Sequence, residues 1–301
     1  MKFAIKYYRG CRTLSEADEI IIQYNEKNSN LIDFVQKYNY NQRIIVDISN
    51  LKNIEDNLKI FETVYSIHSC FAILLRYGQC TADLAEMNIP YFFLDGASTF
   101  DEMVGIVNCG VSDIYIINEL GFNLKEISKY CHNKNVKIRV YPNVAQTISK
   151  FPTKSLTNFF IRPDAIKIYE PYVDVFEFFG PLDRQPALFD IYKDERWLGQ
   201  LDDVIIDLKE NIDNRTIVPY FDTIRANCKK ICNLEKCDVC KAVENFGKTL
   251  ETKEIGIKRE KAEHDRNEYK INENSMSTNS SQSFTDINDL FKEEISESYS
   301  D

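Results

Sequence analysis

Four cysteines fall within thirteen residues, at Cys228, Cys232, Cys237 and Cys240, in the stretch NCKKICNLEKCDVC (227–240). Their spacing, C-x3-C-x4-C-x2-C, lets four thiolates wrap one tetrahedral zinc or one iron–sulfur cluster. Structural zinc usually sits between two matched C-x2-C knuckles, and only Cys237 and Cys240 have that form. A cuboidal cluster tolerates uneven spacing because each cysteine reaches a different iron. Lys229, Lys230, Lys236 and Lys241 would offset the negative charge of such a centre. The C-x3-C-x2-C triplet of radical-SAM chemistry is excluded, since the three-residue gap here is followed by four and lies late in the chain. The expected cofactor is a 4Fe-4S cluster on these four cysteines, with zinc as the alternative.

A second set of candidates lies at the carboxyl ends of apolar runs. These are Asp47, Arg76 with Tyr77, Asp95, Asn118 with Glu119, Asn143, Arg162 and Glu177. Arg162 precedes Pro163 and Asp164, a turn that can start a helix and aim a guanidinium at a carboxylate or phosphate. Glu177 sits among phenylalanines, where burial favours a carboxyl suited to proton transfer. The plainer reading is that Arg162 pairs with Glu177 or Asp164 to satisfy charges at a rim. The expected pocket is lined by Asp95, Glu119, Asn143, Arg162 and Glu177, with Arg162 orienting an anionic group and Glu177 or Asp95 moving protons. No G-x-S-x-G occurs, and the only histidines are His68, His132 and His264, which argues against serine hydrolases and histidine-rich zinc hydrolases. Ten glycines spread thinly leave no phosphate-cradling turn after a strand.

The elements that must position these residues are legible from periodicity. Eight apolar runs recur every 15 to 28 residues: EIIIQY (19–24), RIIVDI (43–48), FAILLRY (71–77), YFFLDG (91–96), DIYIINEL (113–120), KIRVYPNV (137–144), NFFIRP (158–163) and VDVFEFF (173–179). Continuous apolar runs of this length read as strands covered on both faces. Between them lie helical patterns in NLIDFVQKY, NIEDNLKIFETVYSI, STFDEMVGIVNCG and NLKEISKYCHNKN, the third opening on a hydroxyl cap and ending at Gly110. Repeated strand–helix units predict an α/β fold, a (β/α)8 TIM-like barrel with an irregular second half; a doubly wound open sheet is the runner-up. The early run FAIKYY (3–8) either adds a strand at the barrel bottom or replaces one of the eight.

The barrel and cysteine cluster are assigned to residues 1–250. From Glu251 to Asp301 the chain turns charged and rich in serine and asparagine, too poor in large apolar residues to offset chain entropy, so a disordered tail is expected. Within it FTDINDLFKEEI (284–295) has helical apolar spacing and could dock on a protein partner. A net charge of −10 disfavours a broad nucleic-acid or acidic-membrane surface, though a small basic groove remains allowed. The opening MKFAIKYYRG lacks the apolar core of a secretory signal, and no run reaches the ~18 apolar residues of a membrane helix, so a cytoplasmic protein is expected. Nine cysteines, an odd number, fit reduced thiols; Cys11, Cys70, Cys80, Cys109 and Cys131 are expected as small buried hydrophobes.

The segment FFIRPDAIKIYEPYVDVFEFFG (159–180) resembles the peptidase U32 family, also described as collagenase-like proteases. The resemblance extends back through YFFLDGASTFDEMVGIVNCGVSDIYIINEL and covers roughly residues 70 to 210. It implies a barrel, a cysteine-ligated iron–sulfur cluster and, for several members, oxygen-independent hydroxylation of RNA bases or quinone precursors in place of proteolysis. The chain departs from the family where K-I-E-G-R is replaced by Phe178-Phe179-Gly180-Pro181-Leu182 and where the cysteines gather in one late cluster. On this reading the chain modifies a nucleobase or similar planar substrate, either free or within a nucleic acid. The alternatives are a U32-type protease and a non-catalytic barrel scaffold, stapled by zinc, that recruits a partner through its tail.

Overall fold

The computed structural model describes residues 1–7, 15–24, 31–37, 42–51, 54–79, 82–117, 121, 123–145, 159–208 and 212–216. Eight strands form its centre: β1 (Phe3–Lys6), β2 (Glu19–Gln23), β3 (Arg43–Asp47), β4 (Phe71–Leu75), β5 (Tyr91–Phe93), β6 (Asp113–Tyr115), β7 (Lys137–Val140) and β8 (Val175–Glu177). They lie side by side in the order β5-β4-β3-β2-β1-β8-β7-β6, and every pairing is parallel. Parallel neighbours require crossovers, and helices supply them from β2 onward: α1 (Leu31–Lys37), α2 (Leu58–Ile67), α3 (Ala82–Glu86), α4 (Phe100–Asn108), α5 (Leu124–Asn133), α6 (Ile166–Tyr169) and, after β8, α7 (Gln185–Lys193).

The sheet closes on itself between β5 and β6. Ala97 bridges Ile116: the Ala97 N–H donates to Tyr115 O at 2.8 Å, and the Ile117 N–H returns to Ala97 O at 3.0 Å. Gly96 allows this approach, because a Cβ there would stand 2.6 Å from the Tyr115 carbonyl oxygen. The (β/α)8 barrel expected from the alternating runs is therefore the fold.

One strand assignment is corrected. NFFIRP is not part of the wall: Phe159, Phe160 and Ile161 are buried, but the Ile161 N–H meets Pro142 O beyond the end of β7, and the chain then turns at Pro163. FAIKYY supplies the eighth strand instead, since Ala4 of β1 pairs with both Glu19 of β2 and Glu177 of β8. Both runs are equally apolar, and hydrophobicity alone cannot distinguish a wall strand from a segment buried outside the wall.

Helix boundaries follow local chemistry. Thr99 caps α4 in a reciprocal capping box with Glu102, and the chain leaves it through Gly110 at φ +81°. α5 buries Leu124, Ile127, Ser128 and Cys131 on one face. Outward-facing wall residues meet the helices, as where Phe3 stacks on Phe178 and meets Phe189 of α7 edge-on. Burial does not extend to every lone cysteine: Cys131 is in the core, whereas Cys70 and Cys109 are exposed at element ends. Cys11 and Cys80, the cysteine cluster and the 251–301 tail with its 284–295 segment lie outside the described residues.

Candidate functional site

Alternation along the strands points every second residue into the lumen, and several of those residues are charged. β2 and β3 begin with Glu19 and Arg43, β6 begins with Asp113, β7 carries Arg139 at its third position, and β8 ends with Glu177. At the lower end Arg43 forks onto Asp113, with Nη1 to Oδ1 at 2.6 Å and Nη2 to Oδ2 at 2.7 Å. Ser112 adds a hydroxyl to Asp113 at 2.7 Å. Arg139, fully buried, donates through Nη1 to Glu19 and, at 3.3 Å, to Asp113, and through Nη2 to Glu177 at 3.1 Å. Its guanidinium lies between aromatic faces, 4.9 Å from the Phe92 ring centre and 5.5 Å from that of Tyr115.

Three carboxylates thus surround two guanidiniums, all of them buried except Arg43, whose side chain keeps 12% of its surface. The Arg43 and Arg139 guanidiniums hold the Asp113 carboxyl down at about 2 against the opposing effect of burial. Arg139 is held well above its ordinary range by Glu19, Glu177 and Asp113, although burial alone would lower it. Lys137 flanks the lower end half-buried, its ammonium disfavoured by burial and by Arg43.

Above this network lie two phenols. Tyr115 donates its hydroxyl to Glu177 Oε2 at 2.5 Å, and its ring stacks on Tyr141 with centres 5.0 Å apart and planes 9° from parallel. Phe179 meets Tyr141 edge-on at 5.7 Å. Burial and the charge of Glu177 push both phenols well above their usual range. Two buried atoms of the network, Glu177 Oε1 and Arg139 Nε, have no hydrogen-bond partner among the described residues. Tyr141 is partly exposed just past the end of β7, which puts the top of the column at the carboxyl end of the barrel.

Of the residues singled out from sequence, Glu177 alone belongs to this column. Asn143 is buried and fully committed, its side-chain amide receiving the Phe179 N–H at 2.9 Å and donating to the Phe179 carbonyl at 2.8 Å, which clamps the ends of β7 and β8 together. Asp95 is exposed and accepts the Tyr77 N–H at 2.8 Å, tying the β5 loop to the β4 loop. Arg162 pairs with Asp164 at 3.2 Å and with the Asn214 side chain at 2.5 Å, in a clasp that also takes the Trp197 N–H onto Asp164. Of the two pairings open to Arg162 the structure has Asp164, not Glu177. Asp47 is buried near Tyr141 and accepts the Ser49 N–H at 3.0 Å. Glu119, Asn118 and the four cysteines Cys228, Cys232, Cys237 and Cys240 lie outside the described residues. Among the described residues no three histidine, cysteine or carboxylate side chains converge as metal ligands.

A strand-end pattern does not reach Glu19, Arg43, Asp113, Tyr115 and Arg139, which lie at the start or within the strands or face the lumen below the mouth, and it passes over Tyr141, the residue that follows β7. The signal was present in KIRVYP and SDIYII, where charged and phenolic residues alternate with aliphatic ones inside otherwise apolar runs.

A search of known proteins finds similarity to an uncharacterized protease of Methanocaldococcus jannaschii, 28% identical over 130 residues. The match covers 40% of this chain, which spans about a third (35%) of the length of that relative. No family model matches the chain, and no solved structure matches it. No helix among the described residues is long and apolar enough to cross a membrane.

Proposed function

We propose that this chain is a U32-like (β/α)8 enzyme that modifies a small planar substrate at the carboxyl end of its barrel, with Glu177 as the proton-accepting group. The observation carrying this reading is the polar column from Glu19 through Arg139 and Glu177 to Tyr115 and Tyr141. Stability alone does not call for it, because replacing buried ion pairs with well-packed apolar side chains is commonly neutral or stabilising. Tyr141 and Phe179 give a planar ligand aromatic surface above the column. The relative's similarity is consistent with a U32-like ancestry.

In this reading Cys228, Cys232, Cys237 and Cys240 hold a 4Fe-4S cluster, which when bound would supply electron transfer. Among the described residues that precede them in the chain, Ile206 bridges Val144 beyond the end of β7, and its side chain lies beside Gly180 beyond β8. Anaerobic purification should yield a brown protein with charge-transfer absorbance near about 400 nm and iron bound to the chain. A colourless protein with one zinc per chain would sink the iron–sulfur assignment and favour the zinc-stapled scaffold, with partner recruitment through the 284–295 segment. Glu177→Gln should abolish turnover of any planar substrate found by screening while leaving the absorbance intact; full activity of that variant would remove Glu177 from the reaction.

Peptide hydrolysis, the activity in the relative's name, is the second reading. Cleavage of unstructured peptides by protein carrying no iron would favour it.

A further inference from the structure

Alternate strands of a closed barrel contribute successive layers of inward side chains, and exposure changes sharply between two of these layers. The even-numbered strands supply Ile21, Leu74, Tyr115 and Glu177, none of them more than 1% exposed. The odd-numbered strands, or the residues just past them, supply the next layer toward the mouth: Lys6, Asp47, Leu94 and Tyr141, all but Asp47 partly exposed. A ligand entering at the carboxyl end therefore stops on this second layer.

Lys6 belongs to it because Ala4 pairs with the lumen residues Glu19 and Glu177, and Lys6 is two positions further on. Tyr7 turns outward and meets Phe34 of α1 edge-on at 4.7 Å. Leu94 is reached by the same step of two from Phe92, whose ring faces Arg139 in the lumen. The Lys6 backbone N–H donates to Gln185 Oε1 at 2.9 Å, but its ammonium has no ion pair or hydrogen bond among the described residues. Asp47 commits Oδ1 to the Ser49 N–H, and its Oδ2 accepts no hydrogen bond among the described residues. Resting on the reading that a substrate sits at this end of the barrel, we infer that the layer binds a planar ring bearing both an anionic group and a ring N–H. Lys6 takes the anion, Asp47 accepts the N–H, and Tyr141 with the half-exposed Phe179 holds the ring.

Position around the barrel sets the orientation. Lys6 and Leu94 come from opposite strands, β1 and β5, so an anion held by Lys6 directs an apolar edge of the ring toward Leu94. Asp47 and Tyr141 face each other from β3 and β7, and the Asp47 charge adds to the resistance of the Tyr141 phenol to ionisation. Below the layer, Glu19, Asp113 and Glu177 outnumber Arg43 and Arg139 by one formal charge, with Lys137 compensating only at the lower end. An anion is thus repelled everywhere on this floor except beside Lys6. Selection follows from the same charges: an uncharged ring leaves the ammonium unpaired, and an anion without a donor faces Asp47 as a like charge.

Calorimetric titration with simple probes tests the site. Orotate, a planar ring with N–H groups and a carboxylate, should bind. Uracil, which lacks the carboxylate, and benzoate, which lacks the N–H, should each bind about tenfold more weakly or worse. Lys6→Met should weaken orotate about tenfold or more and leave uracil unchanged, and Lys6→Arg, which keeps the charge, should restore much of the loss. Asp47→Asn retains the acceptor for the Ser49 N–H; it should weaken orotate and leave benzoate no weaker. Lys129→Met, on the exposed face of α5, should alter none of them. Uridine 5′-phosphate binding more tightly than orotate would make the anion a phosphate, and more weakly a ring carboxylate; Lys6→Met must weaken whichever is tighter. No saturation by either anion at millimolar concentration, or binding unmoved by Lys6→Met, would overturn the site. Lys6-dependent binding in a protein that turns over no planar substrate would leave the site standing and reject the enzymatic reading. Turnover of an uncharged planar substrate, undiminished in Lys6→Met, would reject the site and keep the enzyme.

Discussion

Replacing Arg139 with methionine removes the cation joining the two halves of the lumen. The lost contacts are charge-assisted hydrogen bonds to Glu19, Asp113 at 3.3 Å and Glu177 at 3.1 Å, together with the stacks on Phe92 and Tyr115. Asp113 keeps its fork from Arg43, and Glu19 keeps a weaker contact with the same guanidinium at 3.4 Å. Glu177 retains only the Tyr115 hydroxyl. Breaking a buried ion pair on one side costs about 3–5 kcal/mol, a large part of the roughly 5–15 kcal/mol that holds a domain together. At about 2 kcal/mol per molar of urea, the unfolding midpoint should fall by roughly 2 M. Trp197, the chain's one tryptophan, reports unfolding by its emission, with far-ultraviolet circular dichroism as the second probe. Adding Glu177→Gln should recover part of the loss, because the stranded charge goes with it; the pair should couple by about 1–3 kcal/mol in a double-mutant cycle. A midpoint within error of wild type for Arg139→Met alone would refute the idea that the network is interdependent.

Three further outcomes follow from particular contacts. Asp113 titrates at about 2 in the fold, against an ordinary 3.8, so its contribution is present above pH 3.8 and lost as pH falls through 2. That shift corresponds to about 2 kcal/mol of stability, and in acid titration of stability Asp113→Asn should flatten this part of the curve. Gly96→Ala forces a Cβ against the Tyr115 backbone at the β5–β6 seam, and should lower thermal stability by about 1–3 kcal/mol, with slowed or lost Tyr115 hydroxyl protection by NMR. Arg162→Ala strands Asp164 and Asn214 at about 2–3 kcal/mol and should shift Trp197 emission to the red, since Asp164 holds the Trp197 backbone and Asn214 donates to its carbonyl.

The repeat of apolar runs and capped helices was enough to predict the barrel, because strand and helix periods are local properties of the chain. Thr99 with Glu102, and Gly110 at the far end of α4, are such local signals. The identity of the eighth strand was not one: Phe3–Lys6 and Phe159–Ile161 are both apolar and buried, and only pairing across the whole chain assigns the first to the wall. The candidate site divides in the same way. Glu177 could be picked out because a carboxylate amid phenylalanines stands out within a few residues. Arg162 looked equally sharp, yet its partner Asn214 is fifty-two residues away in a peripheral clasp.

The sequence by itself determined seven of the eight wall strands and four of the helices between them, that alternate positions on each strand share a face, and that four late cysteines have ligand spacing. Only the tertiary structure decided that Glu19, Arg43, Asp113, Arg139 and Glu177 meet, since they come from five strands and Glu19 and Arg139 are 120 residues apart. Closing the sheet at Ala97 and Ile116 turns five separate inward faces into one lumen. Burial there converts ordinary charged residues into an interdependent network, because each charge removed from water is stable only with its partners in place.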